Sequence, residues 1–458
     1  MKFLQEKILT IHKIKKGFDV NVLGEPAAIV DNRCIDQSTY CVYPKEFDGI
    51  KPKLNIKVGD KVKRGDLLFT NKRMEHVNFR SPVCGTISEI NLGERRFPVE
   101  IVIQKSNEEE SVVFDKFTNE SIKNLSSDDL KKHLLNSGLW PLIKQRPFNK
   151  IANPTDSPKA VFINACNKAP FQADFSIILK GDEEAFQLGI NALNILTKGS
   201  VNLCLSEDIE IPEFDNVSKH IFKGKYPSGN TSVHINRISP ILPNDVVYTL
   251  VAQDVILIGK LLMTGEIPRT KIIALAGPGI KEEYRKYYKV PFGGSIENLL
   301  ENALEEGEIR LICGNIMYGN KVSIKTCVHF YGSEYFALEE DRSRHILGWT
   351  MPGIDQYSAH RVTLSALFNH KRKLGTNQHG SHRAMVVTGW MDKYQPLNIM
   401  TDYLIRSALA HDTEEMVQLG ILETDPEDFA IASFVDPHKT DVCSIIKKGL
   451  EEIEEEGL

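Results

Sequence analysis

The sequence contains few cysteines and no long apolar run. Eight cysteines occur among 458 residues, and none form a Cys-x-x-Cys pair. This usage predicts a reducing compartment rather than a disulfide framework, and it disfavours an iron–sulfur centre, which needs grouped cysteines. A membrane-spanning helix needs about 20 consecutive apolar residues. The best candidate, 255–263, is short and contains Lys260. The sequence therefore predicts that the chain does not cross a bilayer by itself.

The chain also lacks an excess of basic residues. Its 56 Lys and Arg and 61 Asp and Glu give a formal net charge of −5. Broad nucleic-acid binding needs a strong basic surplus, so this balance argues against it. The opening MKFLQEKILTIHKIKK is charged throughout and has no apolar core of a secretory signal. We therefore expect a chain that is not exported by that route.

The middle of the chain alternates between strand-like and helix-like segments. Short β-prone runs lie at 161–166, 201–205, 271–277 and 310–314, and helical patterns lie at 182–198 and 244–263. This alternation predicts an α/β region with an at least partly parallel sheet. Upstream, a helix with Ser127 as its cap and Gly138 as its stop is followed by a polar, proline-bearing linker at 149–158. Further helices are predicted at 397–411 and 441–455.

Residues 51–104 form a different, β-rich region. Two β-prone halves, VGDKVKRGDLLF and SPVCGTISEI, are separated by turn residues, and the doublet resembles a biotinyl/lipoyl barrel-sandwich domain. Carrier domains of this type attach a cofactor to a lysine at a hairpin tip, and Lys72 occupies the equivalent loop. Its context is Asn71-Lys72-Arg73 and lacks the residues typical of biotinyl or lipoyl attachment. The sequence therefore favours an unmodified loop lysine.

Other motifs give weak signals for binding. Gly277-Pro278-Gly279 follows a predicted strand, but Glu282 replaces the third glycine of a G-x-G-x-x-G loop and Pro278 has no N–H to donate. An ordinary turn is favoured. Five of the thirteen histidines lie within His345–His382, including His379 and His382, and surface or hydrogen-bonded roles are favoured over a metal site.

Arg95 and Arg96 fit either a solvent-facing turn or a contact with an acidic partner or lipid headgroup. No catalytic or metal-binding residue is assigned, and the cofactor-binding residues are unknown.

Six motifs in the same order resemble one known family along nearly the whole chain. They include KKGFDVNVLGEPA (15–27), the block 58–102, HINRISP (234–240), QDVILIGKLLMTGEIP (253–268), ALAGP (274–278) and the long stretch 389–439. The family is NqrA, the A subunit of the Na⁺-translocating NADH:quinone oxidoreductase, which is related to the C subunit of the Rnf complex.

The resemblance implies an α/β multi-domain fold. It implies an N-terminal segment (1–44), a barrel-sandwich hybrid domain (45–105), a helical connection and linker (106–158), a Rossmann-like α/β domain (159–259), a β-grasp (SLBB-like) domain (260–330) and an α-rich C-terminal domain (331–458). Many members of the family carry two cysteines where this chain has Ala432 and Asp436. Any redox or ligand role of that cysteine pair is therefore excluded here.

The resemblance also implies a role. The chain would be a peripheral component on the cytoplasmic side of the bacterial inner membrane, in a reductase that couples NADH oxidation and ubiquinone reduction to Na⁺ export. It would dock on the other five subunits of the complex, lettered B to F and chiefly the membrane-embedded B subunit, and contact quinone. FAD, FMN, riboflavin and iron–sulfur centres would belong to those subunits, with no redox cofactor on this chain. The alternative from the residues is a stand-alone soluble flavin- or NAD-dependent oxidoreductase.

Overall fold

The computed structural model describes residues 9–33, 37–242, 244–343, 347–354, 356–368 and 370–457. The first ten strands are β1 Thr10–Lys13, β2 Ala27–Asp31, β3 Thr39–Val42, β4 Pro52–Leu54, β5 Lys61–Val62, β6 Leu67–Asn71, β7 Met74–Arg80, β8 Gly85–Leu92, β9 Pro98–Lys105 and β10 Lys144–Arg146. The next ten are β11 Lys150–Ile151, β12 Val161–Ala165, β13 Val201–Ser206, β14 Ser218–Lys223, β15 Val247–Val251, β16 Thr270–Ala276, β17 Lys286–Pro291, β18 Ile309–Cys313, β19 Asn320–Val322 and β20 Glu334–Glu339. The helices are α1 Ser127–Ser137, α2 Phe175–Leu179, α3 Glu183–Leu196, α4 Thr231–Ile238, α5 Ala252–Thr264, α6 Glu297–Ala303, α7 Trp390–Tyr394, α8 Thr401–Ala410, α9 Thr413–Gln418, α10 Ala430–Val435 and α11 Val442–Glu456.

The β-rich region is a barrel-sandwich domain, as the repeated halves predict. A four-stranded sheet, in the order β3-β9-β8-β5, faces a three-stranded sheet in the order β4-β6-β7. Alternate residues of the strands point inward, so Ile87 and Ile101 are fully buried. The rings of Phe69 and Phe79 stack with their centroids 4.4 Å apart. Apolar side chains of both sheets therefore form one small core.

The α/β domain is built on a seven-stranded sheet in the order β1-β14-β13-β12-β15-β10-β11. The first five strands in this order are parallel, β10 is antiparallel to β15, and β11 is antiparallel to β10. Helices α3 and α5 pack closely against each other. A Cβ atom on Gly259 would lie 1.8 Å from the carbonyl oxygen of Ala185, so only glycine permits this approach.

Two expectations for this region are wrong in detail. The segment 244–263 is not one long helix: strand β15 runs directly into α5, with Val251 as the helix N-cap. Apolar residues continue from the strand into the helix, and no turn residue separates the two elements. A helical pattern therefore covers Val247–Val251, although these residues are β-prone. The segment 149–158 is not a free linker either, because it contains β11 and its Asn153 carbonyl accepts a hydrogen bond of 3.0 Å from the Tyr248 hydroxyl.

The third sheet forms the β-grasp domain. Its order is β19-β18-β20-β16-β17-β2, and α6 contributes Leu300 to the same core as Ile273 and Tyr335. The N-terminal segment is shared between domains, because β1 joins the α/β sheet and β2 joins this one. The C-terminal part is α-rich, and α8 and α11 occupy the positions predicted by the 397–411 and 441–455 patterns.

Candidate functional site

An apolar pocket lies where the barrel-sandwich, α/β and β-grasp domains meet. Its space, counted together with the open solvent at its mouth, is about 520 Å³. Strand β3 and the turn after it contribute one wall, β7 a second, and the loops after β17 and β19 a third; the C-terminal end of α1 and the loop after α5 complete the lining. We call it the junction pocket. Its lining residues include Cys41, Tyr43, Glu46, Phe47, Phe79, Arg80, Phe292, Val328 and Phe330.

The walls of the junction pocket are largely aromatic. The Phe47 ring lies 4.5 Å from the Phe79 ring and 5.1 Å from the Phe330 ring, measured between centroids. Phe292 contacts Phe330 edge to face at 5.5 Å. Offset and edge-to-face arrangements of this kind are the favoured ones for aromatic side chains. The pocket therefore presents flat, apolar surfaces that suit a planar ring.

Polar groups border one side of this pocket. Tyr43 stacks on His329 at 4.4 Å, and its hydroxyl accepts a hydrogen bond of 2.9 Å from the Cys327 N–H. Burial raises the pKa of Tyr43 well above its ordinary value, so the hydroxyl keeps its proton. The Glu46 carboxylate accepts the Phe330 N–H at 2.8 Å and lies 3.4 Å from Nδ1 of His329. These contacts fix the loop that carries Phe330.

Buried charges lie behind the same loop. Lys271 donates a hydrogen bond of 3.0 Å to the Phe330 carbonyl, and the ammonium of Lys144 sits 4.2 Å from the Tyr331 ring centre. Burial raises the pKa of Asp254 to about 6, while Lys271 and Lys144 oppose that rise. Burial also lowers the pKa of both lysines. Two cations and one carboxylate thus share a poorly hydrated space beneath the aromatic wall.

Comparison with known proteins identifies the family. Family models described as the NqrA N-terminal barrel-sandwich hybrid domain, the NqrA second alpha/beta domain and the NQRA C-terminal domain match residues 12–106, 125–267 and 272–323. The A subunit of the Na(+)-translocating NADH-quinone reductase of Photorhabdus laumondii is 35% identical over 453 residues, which cover 97% of this chain and 100% of the relative. The chain belongs to this NqrA family.

Further comparisons agree on the family or add only a weak likeness. The protein of the same name from Yersinia pseudotuberculosis is 36% identical over 455 residues, covering 97% of this chain and 100% of that protein. Among solved structures, an NAD+-reducing [NiFe]-hydrogenase aligns with 73% of this chain and 61% of its own, at 10% identity and a TM-score of 0.35. That score is too low to carry an argument about the site.

The structure places the candidate lysine and the glycine motif in turns. Lys72 is exposed at the hairpin between β6 and β7, the position that a carrier lysine would occupy. In the glycine motif, the N–H of Gly277 donates to the Gly24 carbonyl and the N–H of Gly279 to the Ala337 carbonyl, both at 2.8 Å. A phosphate would need those donors. The geometry supports the ordinary turn that the sequence favours.

The histidine-rich stretch does not converge on one point within the described residues. His345 lies outside them. His360 contacts the Val435 carbonyl oxygen at 2.8 Å and the Trp390 ring, whereas His379 and His382 are exposed. In the described part of the chain, no group of three or more His, Cys, Asp or Glu side chains could hold a metal ion. Nor is any described helix long and apolar enough to cross a membrane.

The remaining candidates lie on turns or in the C-terminal core. Arg95 and Arg96 are exposed in the β8–β9 turn, with φ angles of 52° and 60°. Ala432 is buried in α10. The Asp436 carboxylate accepts hydrogen bonds of 2.9 Å from the Thr440 N–H and 2.8 Å from the His438 ring. Ala432 therefore lies within a helix, and Asp436 belongs to a hydrogen-bonded turn.

Sequence reasoning missed the junction pocket altogether. Its residues come from segments far apart in the chain, such as Tyr43 and Phe330. Aromatic residues that line a pocket follow the same patterns as core residues, so periodicity does not separate them. The turn residues Gly293 and Gly294 after Phe292 were the only local signal, and they indicate a turn rather than a site.

Proposed function

We propose that this chain is the peripheral docking component of a Na⁺-translocating NADH:ubiquinone reductase, on the cytoplasmic side of the membrane. The observation that carries the proposal is the relationship to NqrA proteins along 97% of the chain. In this proposal, the other five subunits of the complex, lettered B to F, are its partners, chiefly the membrane-embedded B subunit. They would hold FAD, FMN, riboflavin and the iron–sulfur centres, while this chain holds no redox cofactor.

The docking role is supported by a basic and apolar segment, 347–388, which we call the basic segment. It carries five Lys and Arg and one Asp in a chain whose net charge is −5. Several large apolar side chains in it are exposed, including Val362 at 82% and Leu367 at 75%. Exposed apolar patches rimmed by charge are typical of binding surfaces. The basic segment is therefore our proposed contact with the membrane-bound subunits.

A pull-down tests this docking. The tagged chain is isolated from membranes in mild detergent, and the eluate is analysed for partner subunits and for NADH:quinone reductase activity with and without Na⁺. We expect partners and Na⁺-stimulated activity with the native chain. The charge-reversal variant R361E/K373E/R383E should recover markedly less of both, because its exposed cations are lost from the basic segment.

The matched control reverses three exposed lysines of the barrel-sandwich domain, K53E/K57E/K61E. This control should recover partners as the native chain does. Equal recovery with both variants would contradict the basic segment as the contact. A native chain found alone, with the partners expressed, would overturn the docking role itself.

The quinone contact is best placed in the junction pocket. A quinone headgroup is flat and apolar with two carbonyl acceptors, so it needs aromatic walls and a few donors. Phe47, Phe79 and Phe330 supply the walls, and Tyr43, with its protonated hydroxyl, and Arg80 are among the lining residues. Arg80 already donates 2.6 Å to the Gly65 carbonyl, which holds its guanidinium in place.

Binding of a short-chain ubiquinone to the full chain tests this placement. We expect Phe330→Ala to weaken binding about tenfold or more, since it removes one aromatic wall. The control, Phe368→Ala, removes an exposed ring outside the pocket and should bind as the native chain does. Equal affinities for all three proteins would place the quinone contact elsewhere.

A further inference from the structure

Two cysteines distant in sequence meet beside the junction pocket. Cys41 lies in β3, and Cys327 lies 286 residues later in the loop between β19 and β20. The Sγ atoms of Cys41 and Cys327 lie 2.7 Å apart. A disulfide bond is about 2.0 Å long, so the sulfurs need to approach by less than about 1 Å.

Backbone hydrogen bonds hold the two cysteine-bearing segments in this position. The Cys41 N–H donates to the Gly293 carbonyl at 2.8 Å, and the Val328 N–H donates to the Gly294 carbonyl at 2.9 Å. The turn that contains Gly293 and Gly294 therefore accepts hydrogen bonds from both cysteine-bearing segments. The Cys327 N–H is also held by the Tyr43 hydroxyl. The pair therefore needs little backbone movement to become bonded.

The two cysteines differ in their access to the junction pocket. Cys41 lines the junction pocket, whereas Cys327 is 1% exposed and lies behind it. A small oxidant that enters the pocket therefore reaches Cys41 first. Cys327 is then the neighbouring thiol that completes the reaction.

We propose that Cys41 and Cys327 form a reversible disulfide that joins the barrel-sandwich domain to the β-grasp domain. With a peroxide as the oxidant, the Cys41 sulfur attacks a peroxide oxygen, the O–O bond breaks, and Cys41 becomes a sulfenic acid as water leaves. The Cys327 sulfur then attacks Cys41, the S–S bond forms, and a second water leaves. One hydrogen peroxide and two thiols thus give one disulfide and two waters, and a dithiol reductant restores both thiols.

The reduced pair is protected from non-specific oxidation. The hydrogen bond with Cys327 and then burial raise the pKa of Cys41 well above its ordinary value. The thiolate is the reactive form, so the reaction is slow near neutral pH and accelerates as the pH rises.

Thiol counting on the full chain tests the proposal. The reduced protein is treated with hydrogen peroxide, quenched, denatured and alkylated, and its intact mass gives the number of thiols. We expect all eight cysteines to be labelled before oxidation and two fewer afterwards, with a cross-linked peptide that contains Cys41 and Cys327. A dithiol reductant should restore all labels.

Variants assign the lost thiols. The Cys41→Ser and Cys327→Ser variants should each keep all of their remaining thiols on oxidation, because each lacks one cysteine of the pair. The control Cys84→Ser removes a partly exposed cysteine outside the pair and should still lose two. Full labelling of the oxidised native chain, a cross-link between other cysteines, or a pair lost from Cys41→Ser would overturn the proposal.

Discussion

Three carboxyl groups of one short segment show how single residues connect the domains. Asp425 pairs with Arg146 at 2.9 Å, Glu427 accepts a hydrogen bond of 2.7 Å from Asn315, and Asp428 accepts one of 3.0 Å from Asn230. One cation faces three carboxyl groups in a space from which water is largely excluded. Burial, then repulsion from Asp425, therefore raises the pKa of Glu427 to about 7 and that of Asp428 to about 6.

The pKa of Glu427 makes the free energy of unfolding depend on pH. Its ordinary value is 4.5, so the folded protein holds a proton that the unfolded chain releases between pH 4.5 and about 7. Stability is therefore greatest below this window and falls as the pH rises through it. Glu427→Gln mimics the protonated form. The loss of unfolding free energy across this pH window should therefore be smaller in the variant than in the native chain, by at most about 3 kcal/mol.

Urea unfolding at several pH values across this window measures the effect. The control, Glu455→Gln, changes an exposed carboxylate of α11 and should keep the native slope. A Glu427→Gln slope equal to that of the native chain would show that Glu427 titrates normally in the folded protein.

At the scale of elements, the sequence predicts strands and helices well where turn residues mark their ends. It predicts β12, β13, β16 and α3 to within two residues at either end. It fails where a strand runs directly into a helix, as at Val251, because no polar or turn residue separates the two patterns. It fails also at the junction pocket, since contacts between Tyr43 and His329 depend on how domains pack and leave no periodic signal in either segment.

The start of α1 is a testable case of a one-residue error. The sequence indicates Ser127 as the cap, but the Ser126 hydroxyl accepts the hydrogen bond from the Asp129 N–H, at 3.1 Å. Ser126→Ala should therefore cost about 1 kcal/mol of unfolding free energy, because a helix N–H loses its partner. Ser127→Ala is the matched control and should cost less than about 0.5 kcal/mol. If urea unfolding shows a larger loss of unfolding free energy for Ser127→Ala than for Ser126→Ala, Ser127 is the cap of α1 after all.

At the scale of the whole molecule, charged contacts join the α-rich C-terminal part to the α/β sheet. The principal buried one joins Arg146, in β10, to Asp425, whose side chains are 7% and 6% exposed. Arg146 also donates to the Ser232 hydroxyl and the Thr424 carbonyl, each at 3.3 Å. The guanidinium therefore ties three parts of the chain together, and its removal leaves a carboxylate without its counter-charge in a buried place.

Breaking this ion pair should loosen the C-terminal part. Arg146→Met should cost about 3–5 kcal/mol of unfolding free energy, because it leaves the buried Asp425 carboxylate uncompensated. Asp425→Asn should cost less, because Arg146 still faces Asp428. The double variant should cost less than the sum of the two, since neither charge remains. The control is Glu308→Gln in the exposed pair with Arg342, which should cost less than about 1 kcal/mol. Additive losses in the double variant, or a loss for Arg146→Met as small as that of the control, would mean that apolar packing of α8, α10 and α11 holds this part without the ion pair.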